Sequence, residues 1–378
     1  MIKTWSYIEE YQDYRKKILN SIDKTLLSGN LFFGEQLKKF EEKFLRLNKF
    51  KYGVAVGSGT DALIIALKAL NIGNNCDDEV ITVSNTAIPT ASAIKSAGAK
   101  VVFVDIGNDY LINADKIKKY ITKNTKAIVP VHLYGQACDM KKICEIAKKN
   151  NLKVIEDCAQ AQGAKFNNKY VGSFGDLGCF SFYPTKILGG YGNGGFISTN
   201  SSKLFQKVRR MRFYGIELFD KKNKFNKKYY ANENGMNSTL DEVHATILNI
   251  KLTEVKNYIS KRKKLAKLYS RKLSNTSLKL PIEKQNCQHV FHLYTVYHPK
   301  RNLIIKKLKK ENIQIKIYYP YPIHKMRAFN NMSKKKKLHL PITEKTSKGI
   351  FSLPLYPKLK YSEANKITKI LKTILETI

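Results

Sequence analysis

The sequence predicts an α/β protein: a three-layer α/β large domain with a mostly parallel sheet, followed by a smaller α+β C-terminal domain. Three observations carry this. Over the first ~200 residues, short and nearly unbroken apolar runs alternate with helix-patterned stretches, the signature of βαβ units whose sheet is covered on both faces. Beyond that point the alternation gives way to a polar loop, a long helical pattern and then mixed elements. The 378 residues also exceed one ordinary domain of roughly 150 residues. The expected division is 1–250 for the large domain, with an N-terminal helical segment, and 251–378 for the small one.

Each element follows from its local pattern. Residues 62–70 read as a largely buried helix closing near Gly73, and 79–83 as a short strand. A small-residue helix over 90–97 ends at Gly98, and 100–105 is the next strand. Asn113 is a natural N-cap for a helix over 113–120. Strands are expected over 127–133 and 152–157, with an amphipathic helix over 139–150 between them. A short aromatic strand precedes Lys186. Residues 204–213 look helical, 217–233 form a polar Lys/Asn-rich loop, and 240–273 read as one long helix. Strands over 290–297 and 313–319, with helices over 303–311 and 362–374, complete the small domain.

Composition excludes a disordered chain, a collagen-like chain and a small disulfide scaffold. The net charge is +38, from 68 basic and 30 acidic residues. Nine of the 68 are Arg, leaving 68 − 9 = 59 Lys. Nucleic-acid readers lean on Arg, whose planar fork matches phosphates and guanine edges. Here the excess is Lys, spread from Lys3 to Lys372 without a recognition motif, so no nucleic-acid partner is expected. The run Lys334 to Lys337 reads as a solvated loop. The six Cys form no CxxC and no zinc spacing, so no metal is expected. Isolated Cys fit a reducing compartment. The N-terminus lacks a signal h-region, and no apolar run approaches the ~18 residues that span a bilayer. A cytoplasmic protein without a membrane partner is the expectation.

Three segments could carry chemistry. Val54 to Ala62 reads as a strand, a glycine turn (Gly57, Gly59) and a helix start, where free N–H groups and the helix dipole can hold a phosphate. The same G-x-G-x-x-A spacing fits a dinucleotide fingerprint, which supports an NAD-dependent oxidoreductase as the alternative of a different class. That fingerprint also wants an acid closing the second strand, and this strand ends in Ser84-Asn85. Next, Asp157 closes an apolar strand, where α/β sheets place their ligands. Its simple reading is a turn or cap residue. Third, Lys186 follows an aromatic strand and precedes the glycine-rich stretch 189–195. A Lys held in a partly apolar site loses basicity and can act as a nucleophile. A phosphate cradle, an Asp to keep a pyridine nitrogen protonated and a Lys to hold an aldehyde as a Schiff base are what pyridoxal 5'-phosphate (PLP) requires.

With these motifs assembled, the sequence resembles the DegT/DnrJ/EryC1/StrS family of nucleotide-sugar aminotransferases, of aspartate-aminotransferase-like PLP fold type I. The resemblance runs over nearly the whole chain. It includes Ser28-Gly29, Gly34, Phe40-Glu41, the stretch from Gly57 to Leu63, and His132 to Gly135. It continues through Glu156 to Gln160, Ser181 to Lys186, Gly235 to Ser238 and Leu240 to Glu242, then Tyr319 to His324 and Leu353 to Pro357. It implies Lys186 as the Schiff-base lysine and proton shuttle. It implies Asp157 at the pyridine nitrogen and Gln160 near the ring hydroxyl. Gly59, Thr60 and Ser181 would hold the phosphate, joined by Asn237 from a neighbouring subunit, hence a homodimer with shared sites. Tyr183, Tyr319 and His324 fall where relatives line the sugar pocket. Their plain readings are core aromatics and a turn histidine.

Three positions depart from the family pattern. Ala87 stands where an aromatic residue often stacks on the ring, so Ile88 or a neighbour must pack there instead. Gln162 replaces a frequent His, and Thr239 a frequent Arg. Because Lys186 is not the His of the dehydratase members, the resemblance implies transamination. An amino acid, expected to be L-glutamate, would donate to a nucleotide-linked keto-6-deoxy sugar, most like C3 of a dTDP-3-keto-6-deoxyhexose, for surface glycan or O-antigen (lipopolysaccharide) biosynthesis. C4 amination of a UDP- or GDP-linked sugar is the near alternative. A positive surface would draw in such anionic ligands.

Overall fold

The structure, a computed structural model, describes residues 1–218, 230–330 and 338–378. The run Lys334 to Lys337 and most of the 217–233 loop lie outside the described residues.

The chain opens with two helices, α1 (Ile8–Leu27) and α2 (Glu35–Asn48). Strand β1 (Tyr52–Val56) leads into α3 (Gly59–Ala69), β2 (Glu79–Val83) into α4 (Ile88–Ser96), and β3 (Lys100–Val104) into α5 (Ala114–Ile117). Then come β4 (Thr125–Ile128), α6 (Met140–Lys149) and β5 (Lys153–Asp157). The short strands β6 (Lys165–Phe166) and β7 (Lys169–Tyr170) precede β8 (Leu177–Ser181), β9 (Gly195–Thr199) and α7 (Ser202–Met211). After α8 (Glu242–Leu252) and α9 (Val255–Leu273) follow β10 (Cys287–Gln288), β11 (Tyr294–Tyr297) and α10 (Arg301–Lys310). The chain closes with α11 (Arg327–Asn330), α12 (Pro341–Gly349), β12 (Ile350–Leu353) and α13 (Tyr361–Glu376).

Seven strands form one sheet in the order β1-β9-β8-β5-β4-β2-β3. The β3–β2, β2–β4, β4–β5 and β5–β8 pairs are parallel, and β9 runs antiparallel to both β8 and β1. Alternate residues of each strand enter different cores, which is how the three layers arise. Val54 and Val56 pack with α3 on one face, while Ala55 packs with α2 and α8 on the other. Cys179 and Phe180 divide in the same way. A second unit pairs β11 with β12 under α9, α10 and α13 around Tyr269, Tyr294 and Phe351. The N-terminus joins this unit through an Ile2–Ile313 bridge and a Thr4 N–H bond to Gln314 Oε1 (3.1 Å).

Three elements differ from the sequence expectation. The 240–273 stretch is two helices, α8 and α9, meeting at Thr253 and Glu254. Helix α8 is wedged against α1 and α2 and buried almost all round, whereas α9 lays one stripe on the small unit. A continuous helical pattern does not reveal that the two halves have different neighbours. Residues 313–319 join no sheet: their only β pairing is through isolated bridges at Ile313 and Lys316. Strand β4 stops at Ile128, because Pro130 offers no N–H to continue a ladder.

Several of the sequence motifs turn out to be joints. Glu242 accepts the backbone N–H groups of Gly34 (2.9 Å), Gln36 (2.8 Å) and Leu37 (3.0 Å), capping α2 from α8. A Cβ on Gly34 would lie 2.8 Å from the Glu242 carboxyl carbon, so that approach requires glycine. Glu41 takes the Ala55 N–H (2.8 Å) and pairs with the buried Arg212 (2.5 Å).

Candidate active site

The C-terminal ends of β1, β2, β5 and β8 meet around one cavity of about 260 Å³. Its wall includes Gly59, Thr60, Asp157, Gln160, Ser181, Tyr183 and Lys186. Seven of the ten residues singled out from the sequence therefore share one wall, though they come from three separate segments.

At one end lies the start of α3. Ser58 caps it, its hydroxyl accepting the Asp61 N–H (3.0 Å). The first N–H groups of a helix have no acceptor within it, so those of Gly59 and Thr60 are available to an anion. Ser181 closes in from β8, and a Cβ on Gly59 would stand 2.6 Å from the Ser181 Cβ. Glycine here is what brings the hydroxyl beside the helix start. The turn is braced from behind: the Ser238 hydroxyl accepts the Gly57 N–H (2.9 Å) and donates to Asp61 (2.8 Å).

Asp157 ends β5 and is buried. Thr90 on α4 donates its hydroxyl to one carboxylate oxygen (2.8 Å), and the Ala159 N–H donates to the other (3.1 Å). Three residues on, the Gln160 amide is pinned on both sides, accepting the Tyr134 N–H (2.9 Å) and donating to the Tyr319 hydroxyl (2.9 Å).

Lys186 lies on the turn after β8, its N–H donating to the Tyr183 carbonyl (2.9 Å). Burial pushes its ammonium down to about 8, and the nearby Asp157 carboxylate only partly opposes this. About a tenth of its amine is therefore free of its proton at pH 7, far more than for an ordinary lysine.

The other residues singled out are placed as follows. Tyr183 is 52% exposed at the cavity wall. Tyr319 stands behind Gln160, and burial raises its phenol pKa. His324 lies outside the cavity wall. Its Nδ1 meets the Ser84 hydroxyl (2.7 Å) and its Nε2 meets Glu344 (3.1 Å), bracing the end of β2 against α12. Asn237 is exposed and absent from the wall formed by its own chain. Ile88 is 46% exposed and also outside the wall, where Thr86, Ala87 and Pro89 stand instead.

Sequence reasoning missed Thr90, whose only local signal was its place at a helix start. It also passed over the trio His132, Glu156 and Cys158, the one group among the described residues close enough to hold a metal. The hydrogen bonds argue against that use. Glu156 already takes the N–H groups of Gly172, Phe174 and Gly175, and His132 bridges Glu156 (3.0 Å) and the Cys138 N–H (3.0 Å). Among the described residues no helix is long and apolar enough to cross a membrane.

This donor set fits PLP: free N–H groups and a hydroxyl for a phosphate, a carboxylate for a ring N–H, an amide for a ring hydroxyl, and a weakly basic amine for an aldehyde. The comparisons agree. The model of the DegT/DnrJ/EryC1/StrS aminotransferase family matches residues 12–372. A dTDP-3-amino-3,4,6-trideoxy-alpha-D-glucose transaminase of Micromonospora megalomicea subsp. nigra is 40% identical, over 98% of each chain. The crystal structure of S. venezuelae DesV superposes with a TM-score of 0.92 at 31% identity, covering 100% of this chain and 99% of that one. The structure of ntda from Bacillus subtilis, with bound cofactor PMP, superposes at 0.87 with 32% identity, covering 96% and 82%.

Proposed function

Because the chain belongs to the DegT/DnrJ/EryC1/StrS aminotransferase family and is a PLP-dependent sugar aminotransferase, we propose that it aminates C3 of a dTDP-linked 3-keto-6-deoxyhexose, with L-glutamate as donor. The observation that carries this reading is a low-pKa Lys186 opposite Asp157 in the cavity, in a chain 40% identical throughout to a dTDP-sugar transaminase.

In this reading Gly59, Thr60 and Ser181 hold the phosphate of PLP, Asp157 holds the proton on the pyridine nitrogen, and Gln160 meets the ring hydroxyl. The cofactor supplies an electron sink that carries the amino group from donor to sugar. Lys186 supplies an amine that is nucleophilic when unprotonated. Its Nζ then takes a proton from one carbon and returns it to another, which a pKa near 8 permits in both directions. Thr90 keeps the Asp157 carboxylate facing the cavity. Tyr183, exposed at the mouth, contacts the sugar; Tyr319 steadies Gln160, and His324 steadies the loop after β2.

The active form is a homodimer in which Asn237 reaches the neighbouring site. Two features support this: Asn237 lies outside its own cavity, and Leu26, Leu27, Leu31 and Phe32 are exposed. Phe33 packs on Phe213 (5.2 Å), whose backbone bridges Asn237, linking that apolar stretch to it. We further assign 1–250 to cofactor binding and 251–378 to the small domain, and place the enzyme in the cytoplasm, on a route to surface glycan. Incubating the protein with glutamate and either dTDP-3-keto, UDP-4-keto or GDP-4-keto sugars tests the substrate. The dTDP-3-amino product is expected by mass spectrometry; amination of only the 4-keto sugars would overturn the C3 assignment.

A further inference from the structure

Gln162 is almost wholly buried (2% exposed) and does not line the cavity. Its amide spans the turn that carries Lys186. The Nε2 group donates to the Ser181 carbonyl (2.5 Å), and Oε1 accepts the Leu188 N–H (2.7 Å). These two backbone groups flank 182–187, so one side chain ties both ends of the lysine-bearing segment. The tie anchors in the turn that follows β5. That turn also holds Asp157 and Gln160. The rest of the lysine loop is bonded largely to itself and to the entry of β9. The Gly190 N–H meets the Phe182 carbonyl (2.8 Å), and the Phe182 N–H meets the Gly194 carbonyl (2.7 Å). Those bonds shape the loop, and the β5–β8 ladder with the Cys158 N–H bond to the Cys179 carbonyl (2.8 Å) fixes its entry beside Asp157, while Gln162 reaches past the lysine to its far end at Leu188.

We propose that Gln162 is a positioning residue: its amide sets the register between the Lys186 loop and the Asp157–Gln160 turn. The inference rests on the PLP reading above. It explains why a neutral group with one donor and one acceptor is needed here. A buried amide satisfies both a carbonyl and an N–H, whereas an apolar side chain strands both and a carboxylate faces the Ser181 carbonyl with a second acceptor. Because Ser181 carries a phosphate-binding hydroxyl, a loose tie weakens cofactor binding and lets the environment of Lys186 vary.

The test compares wild type with Gln162→Leu and Gln162→Glu, using Asn249→Ala as a control for general destabilisation. Asn249 is a buried amide whose Nδ2 donates to the Gln36 carbonyl (2.9 Å), between α8 and α2. The readouts are the PLP dissociation constant and the pH midpoint of the visible absorbance of the PLP-loaded protein. Gln162→Leu is expected to bind PLP about tenfold more weakly, the scale of a lost buried hydrogen-bond pair, and to shift the midpoint. Gln162→Glu is expected to approach wild-type affinity only at low pH, where its carboxyl can again donate. Asn249→Ala should move neither readout at equal loss of thermal stability. Wild-type affinity and midpoint in Gln162→Leu would overturn the proposal, as would equal shifts in Asn249→Ala. A wild-type chain that takes up no PLP would overturn the cofactor reading, and the tie with it.

Discussion

Replacing Lys186 with Met should make the PLP-free protein more stable, in a pH-dependent way. Burial lowers the Lys186 pKa from 10.5 to about 8. At 1.36 kcal/mol per unit, that shift corresponds to a cost on the order of 3 kcal/mol for keeping the ammonium in the native site. The native state holds this proton less tightly than the unfolded chain. Between pH about 8 and 10.5 the unfolded chain therefore carries more protons, and wild-type stability rises with pH. Below about 8 both states are protonated and the full cost is present. Lys186→Met removes the titration and should exceed wild type by about 2–3 kcal/mol at pH 7. The gap should close as pH approaches 10.5. Any constant gain from Met packing is the same at every pH, so the slope of the difference is the readout. Urea unfolding of both PLP-free proteins at pH 7, 8, 9 and 10 measures it. A gap that is absent at pH 7, or that stays flat with pH, would show that the site does not strip the lysine of its charge.

Other perturbations probe the rest of the site. Thr90→Val removes the hydroxyl bond to Asp157 and should weaken PLP binding about tenfold; equilibrium dialysis at neutral pH checks this, and unchanged affinity would deny Thr90 its role. Gly59→Ala places a Cβ 2.6 Å from that of Ser181, so PLP binding should fall at least tenfold while far-ultraviolet circular dichroism stays native. Glu242→Ala strands three backbone N–H groups at the start of α2 and should cost about 2–4 kcal/mol of stability; a loss below ~0.5 kcal/mol would contradict the capping role. Mixing inactive Lys186→Ala with inactive Asn237→Ala should restore activity, since one site of each mixed dimer regains both side chains. No recovery after verified subunit exchange would place Asn237 outside its neighbour's site.

The central sheet was legible because its strands are short, apolar and separated by capped helices. Strand 79–83 and the Asn113 and Asp139 helix starts emerge at the expected residues. The α8/α9 break was not legible, because both halves keep a helical pattern and only their neighbours differ. Asp157 and Lys186 could be singled out from their places at strand ends, and the fold brings both to one cavity wall. The supporting partners could not: Thr90 lies 67 residues from Asp157 in sequence, and nothing local marks the pair. Gly34 and Glu242, which the sequence offered only as part of a family resemblance, proved to be two halves of one cap. The +38 charge needs no role at the catalytic centre, where Lys186 is the single lysine of the cavity wall among the described residues.

The claim that Lys186 carries the cofactor is tested most directly by reducing the PLP-loaded protein with borohydride and mapping its peptides by mass spectrometry. The pyridoxyl mass is expected on Lys186 and on no other lysine. A label on a different lysine, or none on a protein that has bound PLP, would contradict the account.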